Sequence, residues 1–234
     1  AVASQGSIGS VSIDAATGKY TYTPSANKNG VDSFVLTASD GNGGADSITV
    51  NVTVAAVNDA PKIADSVATS LSTSEDVTKA GSITATDIEG DTITYAVGSQ
   101  GKIGTVSVDA STGVYTYAPA ADKNGTDSFV LTASDGKGGA DSITVNVTVA
   151  AVNDAPKITA DSVSTALATT EDTAKAGSIK ATDVDGDSLT YAVASQGKLG
   201  TVSIDSATGS YTYTPKANEN GSDSFVLSAS DGKG

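Results

Sequence analysis

Residues 141–150, DSITVNVTVA, alternate without a break: Ile143, Val145, Val147 and Val149 take every second place, with Thr144, Asn146 and Thr148 between them. Successive side chains of an extended strand point to opposite faces, so this run predicts a strand with one face on a core and one in water. Six further strand-like runs lie near 63–74, 82–86, 92–97, 104–108, 114–118 and 127–133. Residues 105–119, TVSVDASTGVYTYAP, form a predicted hairpin that turns at ASTG and sets Tyr115 and Tyr117 on one face of the return strand. No helical period occurs anywhere. Seven short strands separated by turn signals predict an all-β fold, an antiparallel seven-stranded Greek-key sandwich.

The pattern recurs. NGVDSFVLTASDGNGGADSITVNVTVAAVNDAPKI (29–63) returns at 124–158 with only two changes, Val31 to Thr126 and Asn42 to Lys137. SQG occurs at 4, 99 and 195, a spacing of 95 and then 96, the extra residue arising where KITADSV stands for KIADSV. With VNDAP (57–61 and 152–156) as the hinge, the expected organisation is a partial module at 1–57, a complete one at 58–152 and one lacking its last strand at 153–234. The two partial ends share all their middle strands, so the expectation is a window on a longer tandem array. The lack of an initiator Met agrees with an internal piece.

Composition narrows the chemistry. With no Cys and no His, the chain has no thiol or imidazole nucleophile, no Ser-His-Asp arrangement, no usual zinc or copper site and no disulfide. An extracellular role would therefore need another form of bracing. All 13 basic residues are Lys, set against 27 acids for a net charge of −14, a field that opposes nucleic acid and anionic membrane surfaces. No apolar run is long enough to span a membrane, so membrane insertion is not expected, and no signal-peptide pattern occurs. Oxygen-liganded cations, calcium foremost, are the matched partners.

Two short runs concentrate those acids. ATDIEGDTITY (85–95) places Asp87, Glu89 and Asp91 at alternate positions, and ATDVDGDSLTY (181–191) does the same with Asp183, Asp185 and Asp187. On a continuous strand the three would share one face, and two carboxylates about 5 Å apart at an effective dielectric near 20 repel by roughly 3 kcal/mol. A turn does not need three acids. Alternate carboxylates on an extended loop, bent at a Gly, can converge on one calcium ion. Asp40 and Asp135, in ASDGNGG and ASDGKGG, are further candidate ligands beside hairpin glycines, whereas Asp46 and Asp141 are expected to be polar strand starts. The Tyr pairs at 20/22, 115/117 and 211/213 are expected to line a core rather than to stack sugars.

ITATDIEGDTITYAV, LTASDGKGGADSITVNVTVAAVNDAP and the early SED, in that order, resemble cadherin-like modules, and most closely the tandem repeats of about 95 residues in giant secreted bacterial adhesins, the VCBS and RTX-adhesin group. The resemblance covers essentially the whole chain. It implies Ig/cadherin-like sandwiches joined head to tail, with calcium at each junction. At the first junction it assigns Asn58 and Asp59 from the linker, Asp87, Glu89 and Asp91 from the top of the next module, and Asp135. At the second it assigns Glu75 from SED, Asn153 and Asp154 from the linker, then Asp183, Asp185, Asp187 and Asp231, with Glu171 the counterpart of Glu75 in the last module. The linker is flanked by Ala151 and Ala155 where animal cadherins carry more acids, and DKNGTDSF, with Asp122 and Asp127, replaces the LDRE motif. One or two ions per junction are implied rather than three.

The function implied is that of a calcium-stiffened extender in a secreted or cell-surface adhesin, its partners being neighbouring repeats of the same chain. The alternative is an adhesive module that binds polysaccharide or identical chains, including filament or surface-layer assembly. That reading requires exposed aromatic residues, and alternation turns Tyr and Phe inward. An enzyme would need a carboxylate pair in a cleft, while the acids here lie in loops beside linkers.

Overall fold

The computed structural model describes residues 1–159 and 165–233; part of the KITADSV opening of the third repeat lies outside the described residues. The first repeat contains β1 (Val2–Ser4), β2 (Gly9–Ile13), β3 (Tyr20–Pro24), β4 (Gly30–Ser39) and β5 (Ala45–Val54). The second contains β6 (Lys62–Ile63), β7 (Ser70–Ser74), β8 (Lys79–Ser82), β9 (Ala85–Thr86), β10 (Thr94–Ser99), β11 (Gly104–Val108), β12 (Val114–Pro119), β13 (Gly125–Ser134) and β14 (Ala140–Ala150). The third contains β15 (Lys157–Ile158), β16 (Lys175–Ser178), β17 (Ala181–Thr182), β18 (Thr190–Ser195), β19 (Gly200–Ile204), β20 (Ser210–Pro215) and β21 (Val226–Ser230). No helix occurs among the described residues.

In the second repeat, one sheet runs β10-β13-β14-β7 and the other β11-β12-β8. All its pairings are antiparallel except β14 with β7, which is parallel. The runs expected at 63–74 and 82–86 each divide in two. Residues 62–63 pair with 85–86, whereas 70–74 join β14, so the first strand changes partner at the turn near Asp65 and Ser66. Such switching lets one strand contribute hydrogen bonds to both sides of a sandwich.

Alternation places the core. Val145, Val147 and Val149 of β14 are 3% exposed or less and pack with Leu71, Ile83, Phe129, Leu131 and Ala133. Tyr115 and Tyr117 are buried among them, Tyr115 edge-on to Phe129 with centroids 5.5 Å apart and Tyr117 stacked on it at 5.8 Å. Such pairs add about 1 kcal/mol beyond the area they bury. The linkers are bonded to turns of the sandwich, residues 58–59 to those that follow β9 and β13 and Val152 to the corner after β7.

Candidate metal centres at the repeat junctions

The run after β9 is a turn, not a strand. Asp87 Oδ1 accepts the amides of Glu89 and Asp91, both at 3.0 Å, and its carbonyl accepts that of Gly90 at 3.3 Å. Gly90 makes the bend possible at φ +79°, a left-handed conformation that costs a side-chain-bearing residue energy. The fold gathers the three acids rather than spacing them: Asp87, Glu89 and Asp91 each offer a carboxylate oxygen within 4.8 Å of the others. Asp183, Asp185 and Asp187 form the same group, with Asp183 Oδ1 accepting the amides of Asp185 at 3.0 Å and Asp187 at 3.2 Å.

Local bonding leaves each group unsatisfied. Asp87 Oδ2, Asp91 Oδ2 and Asp183 Oδ2 are buried atoms with no hydrogen-bond partner, while Asp187 Oδ2 meets only the Lys233 ammonium, at 2.7 Å, among the described residues. A buried, unpaired carboxylate oxygen is costly, and the crowding of like charge adds to that cost. An all-oxygen, anionic set of this kind fits a hard divalent cation, since calcium takes six to eight oxygen ligands.

The neighbouring turn and the linker close on the triad. Asp135 Oδ1 accepts the amides of Lys137 at 2.7 Å and Gly139 at 3.0 Å, and its Oδ2 accepts Asn58 Nδ2 at 2.7 Å. The Asn58 donation, followed by the Lys137 amide, holds Asp135 below the usual carboxylate range against the opposing effect of burial. Asp59 donates its amide to Glu89 Oε2 at 3.1 Å. A Cβ on Gly139 would lie 2.7 Å from the Ala60 Cα, so only glycine lets the linker backbone lie this close to the turn. Asp141 does more than begin a strand: its Oδ2 accepts the Ile63 amide at 2.9 Å and fastens the chain as it leaves the linker.

The second junction repeats the arrangement. Asn153 Nδ2 donates to Asp231 Oδ2 at 2.6 Å, and the Asp154 amide donates to Asp185 Oδ2 at 2.9 Å. It also has acids from below. Glu75 is only 2% exposed, its Oε1 accepting the Val152 amide at 2.6 Å and its Oε2 accepting Asn124 Nδ2 at 3.1 Å. Beside it, Asp76, Asp122 and Asp154 offer oxygens within 4.8 Å of one another. Burial raises the Asp154 pKa above the usual range, reinforced by Asp122, Asp185, Asp76 and Glu75, and its Oδ2 has no hydrogen-bond partner.

Asp76 and Asp122 are not among the sequence candidates. Asp76 was signalled by its place after Glu75 in SED. Asp122 was signalled by contrast, since Asn27 and Asn218 occupy its position in the other repeats. Both adopt positive φ, 60° and 54°, which turns the chain at the foot of the sandwich. Two sequence candidates stand apart. Asp40 is exposed and bonds only within its own turn, to the amides of Asn42 at 2.8 Å and Gly44 at 2.9 Å. Glu171 is exposed.

A family model described as the bacterial cadherin-like domain matches residues 58–151 and again 153–234, and that of the bacterial Ig domain matches 1–53. Human and mouse Protocadherin-15 align over 106 residues at 39% and 37% identity, covering 43% of this chain. The alignments cover 5% and 6% of those proteins, so the match spans about one twentieth of their length. Among solved structures, mouse Cadherin-23 EC22-24 superposes with a TM-score of 0.51 at 22% identity, over 88% of this chain and 72% of that one. PcdhgB3 EC1-4 also gives 0.51, at 17% identity, over 97% and 65%. At these identities the structural likeness is one of fold. The two tandem matches together span most of the sequence: the chain belongs to the bacterial cadherin-like domain family.

Proposed function

We propose that this chain is a set of extender modules, at 1–57, 58–152 and 153–234, from a secreted or cell-surface bacterial adhesin, and that calcium at the junctions stiffens it. Asp87, Glu89, Asp91, Asp135, Asn58 and Asp59 would hold cation at the first junction. Glu75, Asp76, Asp122, Asn153, Asp154, Asp183, Asp185, Asp187 and Asp231 would do so at the second. Bound calcium supplies positive charge that neutralises acids drawn from module and linker alike. The chain's own residues provide the positioning: Asn58 and Asn153 tie the linkers to the hairpin turns, and Glu75 fixes the linker exit. No residue is assigned a catalytic role, and the partners are the neighbouring modules.

The observation that carries this reading is the pair of acid triads whose buried oxygens lack partners while the adjoining linkers are hydrogen-bonded to them. Small-angle X-ray scattering in millimolar calcium and in excess chelator tests it. A longer, narrower distance distribution in calcium is expected, giving way to a broad one in chelator. Superimposable profiles would reduce the triads to turn residues and leave stiffness to the Ala-Pro linkers alone.

A further inference from the structure

One of the two differences between the near-identical segments 29–63 and 124–158 is Asn42 against Lys137. Lysine holds this turn position in the two repeats that contain an acid triad, as Lys137 and Lys233. Asparagine holds it in the first repeat, as Asn42. In both cases the lysine reaches the triad: Lys137 Nζ lies 2.5 Å from Asp91 Oδ1, and Lys233 Nζ lies 2.7 Å from Asp187 Oδ2. The lysine side chains are 59% and 54% exposed against 15% and 21% for their aspartates, so each ammonium enters from the solvent side and can swing out again.

The geometry points to Lys137 and Lys233 as tethered counter-ions: each partly neutralises its triad when no metal is bound, and each must be expelled for a divalent cation to enter. This inference rests on the cation reading above. One positive charge against three carboxylates is incomplete compensation, which agrees with the Oδ2 atoms of Asp87, Asp91 and Asp183 that remain without partners. An ammonium is a compact, hydrated charge on a flexible stem, suited to leaving. Its tether gives it a high effective concentration, so a free monovalent ion that brings the same charge gains nothing by replacing it. A divalent ion brings more charge and gains. The lysines would therefore weaken calcium binding and keep sodium out.

The test uses the whole chain, titrated calorimetrically with calcium at low salt and melted in excess chelator. Lys137→Met combined with Lys233→Met keeps the stems and removes the charges. It should tighten calcium binding by about fivefold per site, the range of an exposed ion pair. It should also lower the metal-free melting temperature and make that temperature rise with added sodium chloride. Lys137→Asn, which reproduces the Asn42 turn, guards against a folding defect and should behave alike; Lys137→Arg should keep the weak binding; and Lys19→Met, in the first repeat, should change neither quantity. Unchanged or weaker calcium binding by the Met variant overturns the counter-ion role and leaves the sites standing. No binding by the unmodified chain overturns both.

Discussion

Asp127 is only 8% exposed, yet it has donors from three directions. Its Oδ1 accepts the amides of Lys102 at 2.7 Å and Ser128 at 2.9 Å, and its Oδ2 accepts the Ile103 amide at 3.2 Å and the Tyr117 hydroxyl at 2.7 Å. Burial alone would push its pKa up, but the four bonds outweigh it and hold the group below the usual range. Asp223 in the third repeat, with the same partners, is lowered to about 2. An acid whose folded pKa lies below its unfolded value stabilises the fold above the unfolded pKa, near 4, and loses that contribution as pH falls through the folded value. Thermal melts should therefore be flat near neutrality and fall between about pH 4 and pH 2. Asp127→Ala should cost about 2 kcal/mol at pH 7, because it orphans buried donors, and Tyr117→Phe about 1 kcal/mol. Equal melting temperatures for Asp127→Ala and the unmodified chain would contradict this. The carboxylate's role was not legible in the sequence, where Asp127 is simply an acid near a strand start. Its partners lie 10 and 24 to 25 residues away and meet only when β11, β12 and β13 assemble.

The strands show how far local pattern reaches. β5 and the first ten residues of β14 have the same sequence, ADSITVNVTV, and the same alternation. In β14 the valines at 145, 147 and 149 are buried, whereas in β5 those at 50, 52 and 54 are half-exposed: among the described residues β14 pairs with both β13 and β7, and β5 with β4 alone. The third repeat repeats the lesson. β13 is paired with β14 along its whole length, but the matching segment is a strand only at Val226–Ser230, the part that pairs with β18. Residues 166–170, counterparts of β7, form no strand. Fold class, turn positions and inward faces could be read from the alternation. Which strands form could not, since a strand needs a partner's hydrogen bonds. Val147→Ala should cost about 2 kcal/mol, the transfer of two methyl groups plus a residual cavity, and Val52→Ala clearly less. Hydrogen exchange of the β13 and β4 amides would resolve the two, and equal losses would mean that the two strands have equivalent surroundings.

Over the whole molecule the two junctions are unequal. Both have a triad, a linker asparagine and an Asp-Gly turn, and these were legible because they recur as motifs. The base acids of the second junction were only partly so, since Glu75, Asp76 and Asp122 come together through a buried hydrogen-bonded corner and two residues at positive φ. At the first junction Asn27 stands where Asp122 does. The linker acids differ accordingly: Asp59 is exposed, whereas Asp154 is partly buried, with an unpartnered oxygen, facing acids on both sides. On the calcium reading proposed above, charge at Asp154 is a liability without metal and an asset with it. Asp154→Asn removes repulsion among Asp76, Asp122 and Asp185, so amides 151–154 should exchange more slowly than in the unmodified chain when chelator is present. In calcium the order should reverse, because the variant has lost an anionic ligand. Asp59→Asn, exposed and with Asn27 in the place of Asp122, should shift exchange in the same directions but by much less. A change of one sign under both conditions would show that Asp154 serves the fold of the linker alone; reversal would place the mechanical hinge of the chain, and its calcium dependence, chiefly at the second junction.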